Sequence, residues 1–594
     1  MTIAAPIKWV LTESDAGVAA ALAEQAGIHP LIARLMANRG IADPAGVRAF
    51  LSCELSTLSG PGIFVGMQEA ASRIRAAISG HEKIAVYGDY DVDGVTGAAL
   101  LFLVLKSLQA DVISYIPDRI SEGYGLHGPA LNKLKSEGVS IVITADCGIS
   151  ALDQARTARS LAMDLIVTDH HELIRQTDAS GAPAIVLPDA YAVLHPKLIV
   201  AETSERVKKE VAGLTGVGMA FKLAQALLNA QMDDKQLRQY LDLVALGTIA
   251  DVGAITGENR ILVKHGLDDM SADNGSQRRG VAALKEVAGL AGKKIGVGAV
   301  GFSLAPRINA SGRLNRADAA FRLLTTDSPD EARELASMLD DINRDRQAVG
   351  ELIQEEARCI CRALDMAGTG ALVLASADWH PGVIGIVASR IVEEFYRPAA
   401  LISVKDGIGK GSARSIPGFD LYQGLSACSD LLLGFGGHKY AAGFTIAEDR
   451  IPELRERLGS IVLQQMGTQG FIRTLAVDGA VALEELTLDL MHEIDQMAPF
   501  GQGNPEPRLG ARGLTVLSSK TVRNNHLKLL LRQQGGGSFG AIFFSRGGRP
   551  AKTVVEGSKI AAVFTPRINV WNGRSAVELE IRDIKIDTSE GKKV

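Results

Sequence analysis

The sequence predicts an α/β protein in which two α/β domains are joined by a long helix and followed by a small, OB-like β-barrel. Between residues 80 and 190, apolar runs of strand length alternate with helical stretches, a pattern typical of a parallel sheet. From Ser328, apolar residues recur at three- and four-residue steps, which predicts one helix of about 55 Å. Beyond residue 470, short strand-like runs are separated by Gly-rich turns.

A chain of 594 residues is too long for a single hydrophobic core. We therefore expect five segments: a helical segment at 1–80, a first α/β domain at 81–327, the connecting helix at 328–365, a smaller α/β domain at 366–465 and the barrel at 466–594.

The strands and helices of the first domain can be assigned from their apolar patterns. The predicted strands are "KIAVYG", "DVISYI", "SIVITA" and "DLIVTD", and the predicted helices are "GVTGAALLFLVLKSL", "GVGMAFKLAQALLNA" and "KQLRQYLDLVALGTI". This alternation predicts a sheet covered by helices.

The connecting helix has a recognisable start. Ser328 can cap it, Pro329 suits its first turn, and Glu331 would complete a capping box. Its apolar positions are Leu335, Met338, Leu339, Ile342, Val349, Leu352, Ile353 and Ile360. A helix of this length is expected to connect two domains.

Composition favours a cytoplasmic protein that does not enter a membrane. Hydrophobic residues make up 46% and charged residues 22%, and no apolar stretch reaches the length needed to span a bilayer. The N-terminus lacks the basic and apolar regions of a signal peptide. The five scattered cysteines indicate reduced thiols rather than a disulfide framework.

Charge is distributed unevenly along the chain. Residues 508–574 contain twelve Lys and Arg but one acid, a net charge of +11, whereas the whole chain carries −5. A basic module attached to an acidic body suggests that one part holds a polyanion while another part acts on it.

Potential metal ligands follow the strands of the first domain. They are Asp89, Asp91 and Asp93 after "AVYG", Asp146 after "IVITA", and Asp169, His170 and His171 after "LIVT". Because ligand sites in open parallel sheets lie beyond the carboxyl ends of the strands, we expect these side chains to converge. Asp251, after the helix "LVALGTIA", is a further candidate.

The residue types indicate which metal would bind. Several carboxylates with one or two imidazoles and no thiolate suit Mn²⁺ or Mg²⁺. Two ions would offset four or five negative charges, and paired ions recur in enzymes that displace phosphoryl groups. Other interpretations remain open for each residue alone: an Asp at a strand end can cap a helix, and adjacent histidines can be satisfied locally. A calcium-binding EF-hand is disfavoured because its closing Glu is missing.

The motifs taken together resemble the DHH phosphoesterase superfamily, and within it the bacterial single-strand-specific exonucleases. The matching blocks, in family order, are "GDYDVDG", "PDRISEGYGL", "TADCGIS", "TDHHE", "ALGTIADV", "PRINASGR", "WHPGVIGIVASR", "GSARSIPGFDL", "GFGGHKYAAGF" and "MAPFGQGNPEP". The resemblance covers residues 30 to 580 and implies a DHH catalytic domain, a DHHA1 domain and an OB-like domain.

The resemblance implies a set of metal ligands. They are Asp91, Asp93, Asp146, His170 and Asp251, with Asp89 close by or sharing a ligand role. His171 would face the scissile phosphate and, with Asp146, is implied to be catalytic. Many relatives carry His four residues before the first Asp of the Asp-x-Asp pair, where this chain has Tyr87, so Asp89 is a candidate for the missing charge.

Other blocks suggest contacts to DNA. The candidate residues are Arg119, Arg307, Asn309 and Arg313; Ser412 and Arg414; Gly436, Gly437 and His438; and, in the barrel, Arg523, His526, Lys528, Arg567, Trp571 and Arg574. Guanidinium groups bind phosphate through paired donors, small residues let backbone approach it, and an aromatic ring can stack on a base. The resemblance implies that the first groups recognise a 5′ end. Surface ion pairs, a tight glycine turn and a solvated basic face are the alternatives.

We expect a metal-dependent 5′ to 3′ exonuclease that degrades single-stranded DNA to 5′-mononucleotides in repair and recombination. The polarity and the choice of DNA are implied by the resemblance alone. A monomer working with a helicase and a single-strand-binding protein is the expected setting. Two alternatives are a small-nucleotide phosphodiesterase or pyrophosphatase on the same catalytic fold, and a catalytically inactive DNA-binding scaffold.

Overall fold

The computed structural model describes residues 7–118, 122–177, 183–229, 235–271, 278–312, 317–467, 469–522, 526–544 and 554–586. Arg119, Arg313 and Arg523, three of the predicted DNA contacts, lie outside these residues. The chain forms two compact units. The first, here called the parallel-sheet unit, comprises Ser52–Asp345 and Ala498–Pro505, and the remaining residues form the second, called the barrel unit.

The parallel-sheet unit is built on five parallel strands. Their spatial order is Val112–Tyr115, Lys83–Gly88, Val139–Ala145, Asp164–Thr168 and Ala192–Leu194. The four predicted strands and their parallel arrangement are confirmed. The fifth strand has only three residues and gives too short an apolar run to detect in the sequence. Ile174–Thr177 and Pro183–Val186 form a separate antiparallel pair.

Helices cover this sheet and supply most of the core. The α-helices are Met67–Ser79, Val92–Ser107, Gly128–Ser136, Leu152–Ser160, Glu205–Val211, Gly216–Leu228, Lys235–Arg238, Leu241–Ala250, Gly257–Ser271, Arg279–Val287, Val297–Ala299, Ala305–Ser311 and Ala317–Thr325, with a π-helical turn at Val300–Leu304. The helix predicted from "KQLRQYLDLVALGTI" is interrupted between Arg238 and Leu241, where the Gln239 carbonyl accepts a hydrogen bond from Arg278.

The predicted connecting helix is present and runs from Pro329 to Arg362, about 51 Å at 1.5 Å per residue. Ser328 accepts the Glu331 N–H at 3.3 Å, as a cap should. The reciprocal half of the capping box does not form, because the Glu331 carboxylate binds Thr326 and Arg322 and the Ser328 N–H donates to Thr326.

Three apolar positions of this helix are not buried as the periodicity predicts. Leu352 is 74% exposed, Val349 38% and Ile360 36%. The buried face of this part of the helix instead carries Ile353, Ala357 and Cys361, which pack in the core of the second α/β domain.

The barrel unit contains the second sheet and a closed barrel. The sheet order is Leu432–Gly437, Ala441–Ala447, Ile408–Arg414, Ala399–Lys405 and Leu372–Ser376, with only the last pair parallel. Its helices are Ile384–Phe395, Leu421–Ser426 and Ile451–Met466, and Leu488–Gln496 precedes the barrel. The barrel strands are Leu509–Val522, His526–Gln533, Ser538–Phe543, Arg574–Ile586 and Lys559–Trp571. The first and last of these pair and close the barrel, which confirms the OB-like prediction.

The N-terminal residues of the barrel unit include a strand that the sequence did not indicate. Lys8–Leu11 pairs in parallel with Thr474–Val477, and the Trp9 indole donates to Asp583 at 2.7 Å. The helices Ala16–Ala26, Pro30–Ala37 and Pro44–Ser52 follow it.

Within the described part of the chain, no single helix has the length and apolar character to cross a membrane. Glu205–Val211 and Gly216–Leu228 satisfy that test only as a pair, and they are bent by 116° with respect to each other.

Candidate metal centre

The sequence-predicted ligands lie together at the carboxyl edge of the parallel sheet. Asp89 and Asp91 follow the strand Lys83–Gly88, and Asp146 follows Val139–Ala145. His170 lies just beyond Asp164–Thr168. Because these strands are parallel, their ends meet at one edge of the sheet, and the side chains converge although they are far apart in sequence.

His170 is at the centre of the first group. Its Nε2 atom lies 3.0 Å from Asp146 Oδ1 and 3.7 Å from both Asp93 Oδ2 and Asp251 Oδ2. Among the described residues, neither His170 Nε2 nor Asp146 Oδ1 has a hydrogen-bond partner, although both atoms are buried. A buried imidazole nitrogen and carboxylate oxygen that face each other without a hydrogen bond are what a cation between them would require.

Asp146 links this group to a second one. One oxygen from each of Asp89, Asp91 and Asp146 lies within 4.8 Å of the others. His170 and Asp146 also form such a group with His171. Two adjacent cation positions that share Asp146 therefore fit the donor set, which contains hard oxygens and an imidazole but no thiolate.

Electrostatics show how strongly this arrangement requires positive charge. Burial, together with Asp251 and Asp91, raises the pKa of Asp93 well above its usual value. Burial and the neighbouring carboxylates, Asp93 foremost, do the same to the pKa of Asp146. Burial and Asp91 raise the pKa of Asp251 to about 7. Burial, assisted by His171, lowers the pKa of His170 to about 4, which keeps its ring neutral and able to ligate.

Backbone amides and glycines fix the carboxylates in place. Asp93 accepts N–H bonds from Gly216 at 2.7 Å and Val217 at 2.9 Å. A Cβ on Gly216 would lie 2.5 Å from Asp146 Cβ, and one on Gly247 would lie 2.8 Å from Asp93 Oδ1. Both positions therefore need glycine to let a helix approach the carboxylates this closely.

Asp91 shows that the capping and ligand roles are compatible. It is the N-cap of Val92–Ser107 and accepts the Gly94 N–H at 3.0 Å. The alternative interpretation of this residue as a helix cap is thus confirmed, while its carboxylate also lies within the group of Asp89 and Asp146.

Asp169 orients the histidines. Its carboxylate accepts backbone N–H bonds from Ile149 at 2.8 Å and His170 at 2.7 Å, and one from His171 Nδ1 at 2.7 Å. Burial opposes its charge, but these bonds hold the pKa of Asp169 below its usual value. Burial likewise opposes the charge on His171, yet Asp169 raises the pKa of that ring to about 9. Asp169 therefore favours the protonated form of His171.

Two further residues support His171 and were missed in the sequence. The Tyr124 hydroxyl lies 3.2 Å from His171 Nδ1 and 3.3 Å from Nε2. His195 is fully buried, accepts the Lys197 N–H at Nδ1 and donates from Nε2 to the His171 carbonyl at 2.8 Å. The position of Tyr124 in the block "PDRISEGYGL" was the available signal, whereas "LHPK" contains nothing that distinguishes His195 from an ordinary core histidine.

Tyr87 does not take part in the metal groups. It is fully buried, its hydroxyl donates to the Gly125 carbonyl at 3.0 Å, and its ring stacks on Tyr115 at 5.2 Å. Asp89, two residues further on, carries the carboxylate of this stretch that enters a metal group together with Asp91.

Comparisons with known proteins support the same classification. The model of the DHH family, N-terminal domain, matches residues 83–248, that of the DHHA1 domain matches 368–464, and that of the RecJ OB domain matches 477–583. The single-stranded-DNA-specific exonuclease RecJ of Bacillus subtilis is 38% identical over 591 residues, which cover 98% of this chain and 71% of that protein. The chain belongs to the RecJ family.

Other RecJ proteins agree with this assignment. RecJ of Escherichia coli is 34% identical over 86% of this chain and 88% of its own length. The crystal structure of RecJ in complex with Mn²⁺ from Thermus thermophilus matches with a TM-score of 0.80 at 30% identity, covering 98% of this chain and 79% of that one. The corresponding complex with Mg²⁺ has a TM-score of 0.74.

The predicted phosphate contacts of this RecJ-family chain have varied surroundings. Arg307, on the helix Ala305–Ser311 with half-buried Asn309, donates to Asp340 at 2.9 Å and to the Ser303 carbonyl at 2.6 Å. Its guanidinium is thus engaged in an ion pair, as the alternative interpretation anticipated. Its role in binding DNA stays a prediction.

Ser412 and Arg414 lie side by side on the strand Ile408–Arg414, with Arg414 Nη1 3.2 Å from Ser412 Oγ. A Cβ on Gly385 would lie 2.8 Å from Ser412 Oγ and 3.2 Å from Arg414 Nη2. Both polar groups therefore lie at the start of the helix Ile384–Phe395, where N–H groups favour an anion.

The glycine–histidine block forms a hairpin. Gly437 has φ +141° and a Cβ there would lie 2.4 Å from the Ala441 carbonyl, so the turn itself requires glycine. Gly436 has open space at its Cβ position, and the side chain of His438 is exposed while its N–H bonds the Ala441 carbonyl. These features agree with the structural interpretation of Gly437 and leave His438 accessible.

One predicted DNA contact of the barrel is engaged in an ion-pair network, and its role in binding DNA stays a prediction. Arg567 pairs with Glu506 and Glu580, both at 2.9 Å, and Arg582 joins the same network. Both acids lie just outside residues 508–574, the window over which the net charge of +11 was counted. By contrast, Lys528 is exposed on its strand, and Trp571 is 74% exposed at the tip of a hairpin whose turn, Asn572–Gly573, has positive φ.

Proposed function

We propose that the protein is a metal-dependent exonuclease that degrades single-stranded DNA from the 5′ end and releases 5′-mononucleotides. The observation that carries this proposal is the convergence of Asp93, Asp146 and Asp251 on the buried Nε2 atom of His170, which has no hydrogen-bond partner among the described residues, in a chain of the RecJ family. Repair and recombination are the processes in which such an activity is useful.

Two divalent cations, Mn²⁺ or Mg²⁺, would occupy the centre. Asp93, His170 and Asp251 would hold one, Asp89 and Asp91 the other, and Asp146 would contact both. The ions would supply Lewis acidity and activate water for in-line attack on the phosphodiester. RecJ of Thermus thermophilus has been crystallised in complex with each of the same two metals.

The protein side chains would orient the phosphate and compensate its charge. His171 would keep its proton because Asp169 accepts from Nδ1, and the ring would then present a positive charge beside Asp146. Tyr124 supplies a hydroxyl at the same ring. A preorganised cation next to the reacting phosphate would stabilise the charge that develops in the transition state.

Several of the residues predicted from the sequence would hold DNA. Ser412, Arg414 and His438 would bind phosphate near the 5′ end, with Gly436 and Gly437 allowing close approach. Lys528 and Trp571 would bind the following single strand by charge and stacking. Arg119, Arg313 and Arg523 belong to the same proposal from the sequence, as does Arg307 in spite of its pairing with Asp340.

The protein would act as a monomer in the bacterial cytoplasm. A nuclease restricted to single strands needs the duplex opened first, so a helicase and a single-strand-binding protein are the proposed partners.

The decisive experiment measures Mn²⁺-dependent nucleotide release from single-stranded DNA labelled at either end. Asp146→Ala is compared with Asp153→Ala, whose carboxylate is 84% exposed in an ion pair with Arg156. Early release of the 5′ label as a mononucleotide by the wild type and Asp153→Ala, but not by Asp146→Ala, is the expected result. Release of the 3′ label first would overturn the polarity. Hydrolysis of dinucleotides or pyrophosphate with no action on long strands would favour the small-molecule alternative.

A further inference from the structure

The turn that carries Asp251 has a strained backbone. Asp251 ends the helix Leu241–Ala250, and the next residue, Val252, has φ +58° with its side chain 67% exposed. A β-branched residue rarely adopts a left-handed conformation, and such strain persists only where the surroundings hold it. Since no burial of Val252 itself explains the conformation, the constraint must come from its neighbours.

Part of that constraint lies within the turn and its own domain. The Gly253 N–H bonds the Thr248 carbonyl at 2.9 Å, and a Cβ on Gly253 would lie 2.6 Å from Thr215 Cγ2. Buried Asn259 donates to the Ala254 carbonyl at 3.1 Å and to the Gly213 carbonyl at 2.5 Å. This asparagine ties the Asp251 turn to the loop that leads to the amides binding Asp93.

The remaining constraint comes from residues almost 250 positions away in sequence. The Ile255 N–H donates to the Gln502 carbonyl at 2.7 Å, and a Cβ on Gly501 would lie 2.8 Å from Ile255 Cγ1. Arg260 donates to the Ala498 carbonyl at 2.9 Å. The segment Ala498–Pro505 thus packs on the residues directly following Asp251 and belongs to the same compact unit.

This segment is itself preorganised. Asn504 is fully buried and donates from its amide to the Pro499 carbonyl at 2.8 Å, and the Gly501 N–H bonds the Asn504 carbonyl at 2.9 Å. It corresponds to the block "APFGQGNP", which has no role in the proposed chemistry.

We propose that residues 498–505 are a positioning element of the metal centre that holds the Asp251 carboxylate against His170. The inference rests on the proposed function, in which Asp251 is a metal ligand. It assigns a catalytic purpose to a segment that lies between the helix Leu488–Gln496 and the first barrel strand. Truncation before residue 498 would remove this element together with the barrel, so it cannot separate DNA binding from metal binding.

The test is Gly501→Ala, whose new Cβ would push Ile255 and the turn away. Gly298→Ala is the matched control, because a Cβ there meets open space. Mn²⁺ binding is measured by calorimetry and by the rise in Tm on adding Mn²⁺. We expect Gly501→Ala to bind Mn²⁺ about 10- to 100-fold more weakly at one site, which is the range for groups that orient metal ligands. The control should bind Mn²⁺ with the affinity of the wild type. Binding of single-stranded DNA in EDTA should be unchanged.

A second comparison separates positioning from loss of stability. Asn adopts left-handed backbone readily, so Val252→Asn relieves the strain that the segment holds in check. In the Val252→Asn background, Gly501→Ala should weaken Mn²⁺ binding less than threefold. If Gly501→Ala acted only by destabilising the fold, it would weaken Mn²⁺ binding as much in this background as in the wild type. Should Gly501→Ala fail to fold, Asn504→Ala opens the loop without adding volume beside Ile255 and should weaken Mn²⁺ binding in the same way.

Failure of this inference differs from failure of the proposed function. If Asp251→Asn binds Mn²⁺ as the wild type does, Asp251 is not a ligand and the proposed centre is wrong. If Asp251→Asn weakens binding while Gly501→Ala, or Asn504→Ala in its place, behaves like Gly298→Ala, the centre stands and the positioning role is overturned.

Discussion

The metal centre and the barrel are both rich in charged residues, but they differ in how the charges are compensated. At the centre, Asp93 and Asp146 are buried beside further carboxylates, and burial together with this repulsion raises both pKa values. On the barrel, Arg567 is neutralised by Glu506 and Glu580. Uncompensated charge marks a place where a ligand is needed, whereas compensated charge stabilises the fold.

The largest effect should come from removing the metal. Chelation by EDTA should lower nucleotide release about 1,000-fold or more, with recovery on adding Mn²⁺, because several kcal/mol of transition-state stabilisation are lost.

Mn²⁺ should also raise Tm by offsetting the repulsion at Asp146. Asp146→Asn should raise the Tm of the metal-free protein by a few degrees and abolish the rise with Mn²⁺, as followed by calorimetry. An unchanged response to Mn²⁺ in this variant would contradict the shared position of Asp146.

A smaller but still large loss of activity is expected on changing Asp169. This residue follows a strand, as the proposed ligands do, but its carboxylate accepts hydrogen bonds from the protein. Asp169→Asn removes the charge that keeps His171 protonated and oriented, so kcat should fall about 10- to 100-fold. Mn²⁺ affinity should stay near that of the wild type, because the carboxylate is occupied by protein donors. Loss of Mn²⁺ binding in a folded Asp169→Asn protein would show instead that Asp169 is a ligand.

The same contrast explains what could be predicted from the sequence. The carboxyl ends of parallel strands meet at one edge of the sheet, whatever chain segments connect the strands. Asp91, Asp146 and His170 could therefore be grouped from the sequence alone. The helix positions Val349 and Leu352 could not be placed, because periodicity gives the apolar face but not the element that covers it. His195 contacts the backbone of a distant loop and lies in no sequence pattern. Gln502 lies in the block "MAPFGQGNPEP", but that block does not indicate that its carbonyl accepts a hydrogen bond from Ile255.

Charge counting along the sequence of the barrel could not show which basic side chains are paired, for a related reason. The antiparallel pairing of Lys559–Trp571 with Arg574–Ile586 places Arg567 opposite Glu578, and Glu580 lies two residues further along that strand. A window that ends at residue 574 includes the arginine and omits its partners. The net charge of the window therefore overstated how much of the basic face is available to a polyanion.

The difference within the barrel can be measured by comparing Trp571→Ala with Arg567→Ala. Stacking on an exposed aromatic ring contributes about 1–3 kcal/mol per base, so Trp571→Ala should weaken binding of single-stranded DNA roughly 5- to 150-fold. Arg567→Ala should change affinity less than about twofold, as expected for a charge already neutralised by two acids, and should instead lower Tm. Binding is measured by fluorescence anisotropy in EDTA. If both variants lose the same affinity for single-stranded DNA, Arg567 must leave Glu506 and Glu580 and pair with a phosphate when DNA binds.

The smallest expected effect concerns the number of phosphates neutralised rather than the affinity itself. Lys528 is exposed on its strand, so Lys528→Gln should reduce the slope of log K against log salt by about 0.7, the value for one contact to a single strand. Arg567→Gln should leave that slope unchanged, because the pairing with Glu506 and Glu580 leaves no counterion to release. Anisotropy titrations between low and moderate salt measure both. If Lys528→Gln keeps the wild-type slope, the side chain is a solvated surface lysine, and stacking on Trp571 rather than charge at Lys528 would account for DNA binding by the barrel.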